Sequence, residues 1–291
     1  MSVHRLALGT VVVTFILIVF GGYVASSESG MGCGPDWPLC NGVLIPVLHG
    51  ETLIEYTHRV IGAVLALLVA LLWFRIRRSS AEDRVRRAAD GAAVLLILQI
   101  LFGALVVVLD LPAIVITLHL VIAMVFMAVL LYLWRATRPV SRFAERAAPP
   151  AFVLVHLNPV LGLMLTTIAL GAYVKHRSWG LACGWLGCHE SWLPAGGAQV
   201  VQSLHRLLAF GGAVYLVALT AVLLNSVRCR RVAGLRARGV LAVVILLLQL
   251  LVGAATVATD LHLPWAVAHL AVATLLFAVL VEFRIWLHSS R

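Results

Sequence analysis

Eight long apolar stretches, separated by short polar connections, account for most of the chain. A helix needs about 20 apolar residues to cross the hydrocarbon core of a bilayer, and its backbone polar groups must be satisfied within the segment. The pattern therefore predicts eight transmembrane helices. Their ranges are 6–26, 53–74, 92–109, 113–134, 152–174, 199–224, 239–259 and 264–286.

The composition agrees with this pattern and excludes a large soluble domain. The chain has 291 residues, of which 62% are hydrophobic, whereas soluble domains are roughly 45–50% apolar. The eight stretches leave few residues for anything outside the membrane. We predict an all-α membrane protein.

The net charge of +10 is informative through its distribution along the chain. Of the 22 Lys and Arg residues, 18 lie near the termini or in alternate connections, and the other connections hold only Lys175 and Arg177. This positive-inside pattern predicts that both termini are cytoplasmic, and it favours contact with anionic lipids over nucleic acid. No cleavable signal segment is evident, and no Ser- and Arg-rich transit segment for an organelle either, so we expect a multi-pass protein of a prokaryotic plasma membrane.

The chain also contains an internal repeat. The third and fourth stretches match the seventh and eighth in spacing: Gln to Gly is four residues, Gln to Asp eleven and Gln to His twenty. The matching residues are Gln99, Gly103, Asp110 and His119 in the first half, and Gln249, Gly253, Asp260 and His269 in the second. Because each half has an even number of helices, both halves enter the membrane from the same side. This predicts two tandem parallel four-helix-bundle repeats, 1–147 and 148–291.

Four histidines fall in the even-numbered helices: His58, His119, His205 and His269. Each lies five or six residues past its predicted helix start, which at ~1.5 Å per residue places all four within ~10 Å of the outer boundary. The alternative for any one of these histidines is that it merely forms a hydrogen bond to a neighbouring helix. Zinc or copper would need a third ligand that the loops do not supply at a fixed spacing, so the pattern favours one haem between the two imidazoles of each repeat.

Small and cationic residues follow the histidines. Arg59 and Arg206 come directly after two of them, and we predict that they pair with haem propionates. The alternative is that they extend to the outer lipid headgroups. Gly62, Gly211 and Gly212 come four to seven residues after a histidine. They would serve either the approach of a flat ring or helix packing.

The two halves differ three residues before a histidine. The first half has Glu55 before His58, and the second has Gln202 before His205. Residues three apart share a helix face, so Glu55 is predicted to act in acid–base chemistry or to stabilise charge on a bound substrate. The alternative is that Glu55 lies near the interface and only pairs with Arg59 or contacts water. The asymmetry suggests one haem that is a substrate and one that is a resident cofactor.

Each half has a cysteine pair just before its first histidine helix. Cys33 and Cys40, and likewise Cys183 and Cys188, lie in predicted outer loops, where oxidising conditions favour disulfides within each loop. Each disulfide would either fix its loop over a haem pocket or take part in redox chemistry. Cys229 has no nearby partner in the sequence and is interpreted as an ordinary thiol.

Three segments together resemble the haem A synthase family: Gly-Gly-Tyr-Val at 21–24, Ser-Gly-Met-Gly-Cys-Gly-Pro-Asp-Trp-Pro-Leu-Cys-Asn-Gly at 29–42, and Glu-Tyr-Thr-His-Arg at 55–59. The resemblance extends over nearly the whole chain. It implies an oxidoreductase in which haem O enters the N-terminal half and binds His58 and His119. The C8 methyl group of haem O would be oxidised in steps to a formyl group, giving haem A for terminal oxidases.

The resemblance also implies roles for the remaining candidates. Haem b would be held by His205 and His269 and would relay electrons from an unidentified donor. Glu55 would be the acid–base or charge-stabilising residue, and the pair Cys33 and Cys40 would lie nearest the active pocket. Haem O synthase and assembly factors of terminal oxidases are candidate partners.

Two other functions share parts of this pattern. A di-haem b-type cytochrome that only transfers electrons would use the same histidines, but it gives no reason for Glu55 to lack a counterpart in the second half. A transporter with parallel repeats would have helices broken in mid-span. The transporter interpretation is disfavoured, because the prolines that could break a helix are expected near helix ends: Pro112, Pro159 and Pro264.

Overall fold

The computed structural model describes residues 2–138, 149–184, 188 and 194–289. In these ranges the regular structure is helical, with no β-strand. The first part of the chain contains α1 (Val3–Ser26), a 3-10 turn (Ser29–Met31), α2 (Gly50–Arg77), α3 (Asp83–Val108) and α4 (Ala113–Ala136). The second contains α5 (Ala151–His176), α6 (Gly197–Asn225), the short α7 (Val227–Arg230), α8 (Leu235–Ala258) and α9 (Leu263–Ser289).

The eight long helices coincide with the eight predicted spans, and each is long and apolar enough to cross a membrane. The prediction of an all-α membrane protein is therefore confirmed. Several helices extend past the apolar stretch: α3 starts nine residues earlier than predicted, at Asp83. The apolar run marks only the part suited to lipid, whereas backbone hydrogen bonding continues through the polar ends. Pro159, expected near a helix end, lies inside α5, eight residues past its start at Ala151.

The chain forms two compact units, Met1–Arg138 and Pro139–Arg291. In the first unit α1 packs on α2, α2 on α3, α3 on α4 and α4 back on α1. In the second, α5, α6, α8 and α9 pack in the same cyclic order. Each unit is thus a four-helix bundle. The predicted boundary between 147 and 148 falls in 139–148, outside the described residues.

The most closely packed part of each bundle lies away from the histidines. In the first unit Leu72 and Ile76 of α2 and Met127 and Leu130 of α4 are fully buried, all of them in the second half of their helix. In lipid such contacts stabilise through van der Waals packing, because the solvent is itself apolar. The opposite end of the bundle, where α2 and α4 begin, therefore has room for polar side chains.

The same turn joins the last two long helices of each unit. Leu111, between α3 and α4, has φ 57°, and Leu261, between α8 and α9, has φ 63°. This left-handed conformation is unfavourable for leucine. In both cases the leucine side chain packs over a glycine of the loop after the unit's first helix, Gly30 for Leu111 and Gly180 for Leu261. The turn therefore ties the histidine end of the bundle to that loop.

Candidate functional site

The four histidines occupy matching positions in the two units. His58 lies eight residues past the start of α2 (58 − 50) and His205 eight past the start of α6 (205 − 197). His119 lies six residues past the start of α4 (119 − 113) and His269 six past the start of α9 (269 − 263). At ~1.5 Å per residue these positions are ~12 Å and ~9 Å from the helix ends. The first value exceeds the predicted one because α2 begins three residues before the predicted range (53 − 50) and α6 two residues before it (199 − 197).

Each unit brings its two histidines together. His119 lies within electrostatic reach of His58, and His269 lies within electrostatic reach of His205. All four side chains are half-buried. The two histidines of each unit therefore lie near each other at one end of the bundle. This arrangement is compatible with the predicted pair of haem ligands, which stays a prediction.

Every histidine ring lies against a glycine of the long helix that precedes it in the chain. A Cβ atom placed on these glycines would come within van der Waals distance of the ring, or closer. The distances are 3.1 Å from Gly21 to His58 Nε2, 3.2 Å from Gly103 to His119 Cε1, 2.7 Å from Gly171 to His205 Cε1 and 2.9 Å from Gly253 to His269 Cε1. Only glycine allows this approach without moving the ring.

The first histidines of the two units have different neighbours. His205 Nδ1 lies 3.0 Å from the carbonyl oxygen of Thr167 in α5. A carbonyl only accepts, so Nδ1 carries the proton and donates, which leaves Nε2 as the free ligand atom. His58 instead stacks on Phe20, with ring centroids 6.3 Å apart and planes 18° apart.

The second histidines contact glutamines. Gln99 Nε2 lies 3.1 Å from His119 Nε2, and Gln249 Nε2 lies 3.1 Å from His269 Nδ1. These glutamines are the residues whose spacing marked the internal repeat. The sequence signal was therefore visible, but it did not identify the glutamine as a neighbour of the imidazole.

Glu55 connects its helix to the cysteine loop. Its side chain is buried, with 4% exposure, and Oε2 accepts a hydrogen bond of 2.7 Å from the backbone N–H of Cys33. Oε1 accepts from Nε of Arg59 at 3.1 Å and from Nη2 at 2.6 Å. Arg59 also donates to the carbonyl of Leu39 at 2.8 Å. Glu55 and Arg59 thus hold both ends of the loop closed by the Cys33–Cys40 disulfide.

The second unit repeats this arrangement with a neutral residue. The backbone N–H of Cys183 donates to Gln202 Oε1 at 2.6 Å, and the amide nitrogen of Gln202 donates to the carbonyl of Gly180. Arg206 donates to the carbonyl of Gly184 at 2.5 Å. Cys183 is joined to Cys188 by a disulfide. The loop contacts therefore do not need a charge at this position.

The arginines are engaged mainly with the cysteine loops. Within the described residues, Arg59 uses three of its five N–H donors on Glu55 and Leu39, and two remain. The predicted propionate contact is compatible with this geometry and stays a prediction. The predicted alternative, an ion pair between Glu55 and Arg59, is present in the structure.

The glycines expected to admit a flat ring have other surroundings. A Cβ on Gly62 or Gly211 would meet nothing within 4 Å, and one on Gly212 would meet Leu163 at 3.1 Å. Gly212 therefore serves helix packing. The glycines that face the imidazoles belong to the partner helices, which sequence spacing along one helix does not reveal.

The donor set suits a haem. In the described part of the chain no group of three or more His, Cys, Asp or Glu side chains is arranged to hold a metal ion. Structural zinc sites use four protein ligands and catalytic ones three, whereas a porphyrin occupies four positions itself and needs only axial ligands. Two neighbouring imidazoles per unit, each beside a glycine that gives it room, are compatible with that requirement.

The chain is similar to known proteins over almost its whole length. Residues 4–281 match the family model described as cytochrome oxidase assembly protein (COX15-CtaA). A protein named Heme A synthase from Exiguobacterium sibiricum is 34% identical over 219 residues, which make up 71% of each chain. Those of Bacillus licheniformis and Geobacillus thermodenitrificans, with the same name, are 29% and 30% identical and cover 97% and 96% of this chain. The match covers 95% of the first of these two relatives and 89% of the second.

Proposed function

We propose that the chain, which belongs to the cytochrome oxidase assembly protein family (COX15-CtaA), is a haem A synthase. Its substrate is haem O, whose C8 methyl group is oxidised to a formyl group, and its product is haem A. The observation that carries the proposal is the difference between two otherwise matching sites. Each unit has a pair of neighbouring histidines and a disulfide loop held by side chains of the following helix, a set of contacts that we call the clasp. Only the first unit has a buried carboxylate, Glu55, in its clasp.

The two histidine pairs bind different haems. His58 and His119 hold the substrate in the first unit, and His205 and His269 hold haem b in the second. When bound, haem b supplies a centre for one-electron transfer from an external donor. The hydrogen bond from His205 to Thr167 suits a resident group, because it fixes the imidazole in the tautomer that leaves Nε2 for iron.

Glu55 is the residue that gives the first unit its chemistry. It lies one helical turn before His58, and its two oxygens are fixed by Cys33 and Arg59. A carboxylate held in this way stabilises positive charge that develops on the substrate, and it can take up a proton released there. Gln202 preserves the loop contact in the second unit but has no charge to offer.

The membrane topology completes the proposal. The protein spans a bacterial plasma membrane, with both termini in the cytoplasm and the disulfide loops on the outer side, as the distribution of Lys and Arg predicts. Both haems then lie near the outer surface. The oxidation needs an oxidant for the methyl group: either an external electron acceptor, with water supplying the formyl oxygen, or molecular oxygen together with the electron donor. The product is passed to terminal oxidase assembly.

Replacing Glu55 by glutamine tests the proposal with little structural disturbance, because Gln202 makes the equivalent contact in the second unit. The protein is co-expressed with a source of haem O, and the extracted haems are separated by chromatography. Wild type should accumulate haem A, and Glu55→Gln should reduce it by about 100-fold or more, the usual loss for a missing acid–base group. Glu51→Gln is the matched control: this residue is exposed in the first turn of the same helix, and its replacement should leave haem A unchanged.

Two outcomes would contradict the proposal in different ways. Equal haem A in wild type and Glu55→Gln would remove this residue from the mechanism. Protohaem in both units of the wild-type protein, with no haem O or haem A, would instead indicate a cytochrome that only transfers electrons.

A further inference from the structure

Two half-buried glutamines contact histidines, and the amide oxygen of each has no hydrogen-bond partner among the described residues. Gln99 Nε2 lies 3.1 Å from His119 Nε2, and Gln249 Nε2 lies 3.1 Å from Nδ1 and 3.4 Å from Nε2 of His269. Oε1 of both glutamines is buried and, in the described part of the chain, has no hydrogen-bond partner. Nδ1 of His119 is buried and unpartnered as well.

These unpartnered atoms complement each other. Buried amide oxygens nearly always accept a hydrogen bond, and an imidazole Nδ1–H is a donor. The two ends of a glutamine amide have nearly the same shape, so a half-turn of the amide, with a rotation of the ring, would bring Oε1 to Nδ1. The glutamine oxygen is unpartnered in both units, which indicates that its hydrogen bond forms when the histidine binds a ligand.

The fold already contains this kind of hydrogen bond. His205 Nδ1 donates to the carbonyl of Thr167 at 3.0 Å, which leaves Nε2 free to bind a metal. No carbonyl occurs among the described hydrogen bonds of the His119 and His269 rings. A glutamine amide contacts Nε2 of His119 and both ring nitrogens of His269 instead. The neighbouring helix thus supplies a hydrogen-bonding group at three of the four histidines: a carbonyl at His205, and a glutamine amide at His119 and His269.

Spacing along the helix explains how the contact is built. Gly103 lies four residues after Gln99, and Gly253 lies four residues after Gln249. Residues four apart share one helix face, and both glycines contact the ring of the same histidine as their glutamine. The glycine gives the imidazole room, and the glutamine can set its rotation.

We propose that Gln99 and Gln249 are positioning residues for the axial ligands. With haem bound, Oε1 of each glutamine accepts a hydrogen bond from Nδ1–H of His119 or His269, which fixes the tautomer that presents Nε2 to iron. The hydrogen bond also makes the imidazole more basic and so favours the ferric state. This inference rests on the proposed function, because it assumes that these histidines bind haem.

The test compares Gln249→Leu, which removes the acceptor, with Gln249→Glu, which keeps it. Haem release from the purified full-length protein to apomyoglobin and the midpoint potential of haem b are measured for each. Gln249→Leu should speed the release of haem b about 10- to 100-fold, the usual effect of losing a partner of a metal ligand, and should raise the potential. Gln249→Glu should restore slow release and lower the potential, because a carboxylate is the stronger acceptor.

Gln99→Leu is the matched control within the same chain. It should leave the release and potential of haem b in the second unit unchanged, and should weaken haem binding in the first. If the wild-type protein binds haem, but Gln249→Leu and Gln249→Glu have the same release rate and the same potential, only the role of the glutamine is refuted. A wild-type protein that binds no haem would refute both this role and the proposed function.

Discussion

A methyl group added at Gly171 should displace the imidazole of His205. The Cβ of Gly171→Ala would lie 2.7 Å from His205 Cε1, and ordinary van der Waals contact begins at 3.4 Å, so the ring must move by 0.7 Å (3.4 − 2.7). Thr167 lies four residues before Gly171 and therefore on the same face of α5. A ring that moves away from one of these residues moves away from the other as well.

This displacement is large enough to break a hydrogen bond. The 3.0 Å separation between His205 Nδ1 and the Thr167 carbonyl would grow to as much as 3.7 Å (3.0 + 0.7), beyond the range of a hydrogen bond. The loss costs about 0.5–1.5 kcal/mol, and a misplaced ligand typically loses about 10- to 100-fold in metal affinity. We expect haem b to leave Gly171→Ala faster by that factor.

The assay is haem content after purification, followed by the rate of haem transfer to apomyoglobin. Gly162→Ala is the control, because it lies on the same helix and its Cβ would meet nothing within 4 Å. Alanine is also the better helix former by about 0.5–1 kcal/mol. The Gly253→Ala variant, with its Cβ 2.9 Å from His269, should lose haem b less severely. Haem retention in Gly171→Ala equal to that in Gly162→Ala would refute the reasoning.

Other contacts around the first site give further predictions. Gly32→Ala should destabilise the protein by about 1–3 kcal/mol, measured by thermal unfolding, because its Cβ would collide with the backbone carbonyl of Glu51, which cannot rotate aside. Unchanged stability would contradict this. Arg59→Lys keeps the charge but loses the paired hydrogen bonds to the Glu55 carboxylate, so the Cys33–Cys40 disulfide should react faster with a phosphine reductant. An unchanged reaction rate would show that the contacts of Arg59 do not protect the disulfide. Replacing Cys33 and Cys40 together by serine should lower the free energy of unfolding by about 2–3 kcal/mol if the disulfide is structural; loss of haem A formation at unchanged stability would assign it a redox role.

The sequence by itself determined the helices and the candidate chemistry. A run of about 20 apolar residues has one stable backbone structure in lipid, so the eight spans followed from local composition. The repeated spacings identified His58, His119, His205 and His269 as matched residues. Alignment of the two halves also showed that Glu55 has no acidic counterpart in the second. Its place beside His58 followed as well, because residues three apart on a helix share a face whatever the tertiary structure.

Only the tertiary structure decided which side chains meet across helices. A helix that is apolar on all sides carries no periodic signal to show which face points inward. The contact of Gly171 with His205 and that of Gln249 with His269 depend on how neighbouring helices are rotated and how closely they pack. The clasp between Glu55 and Cys33 likewise joins residues 22 positions apart through a loop whose path the sequence did not predict.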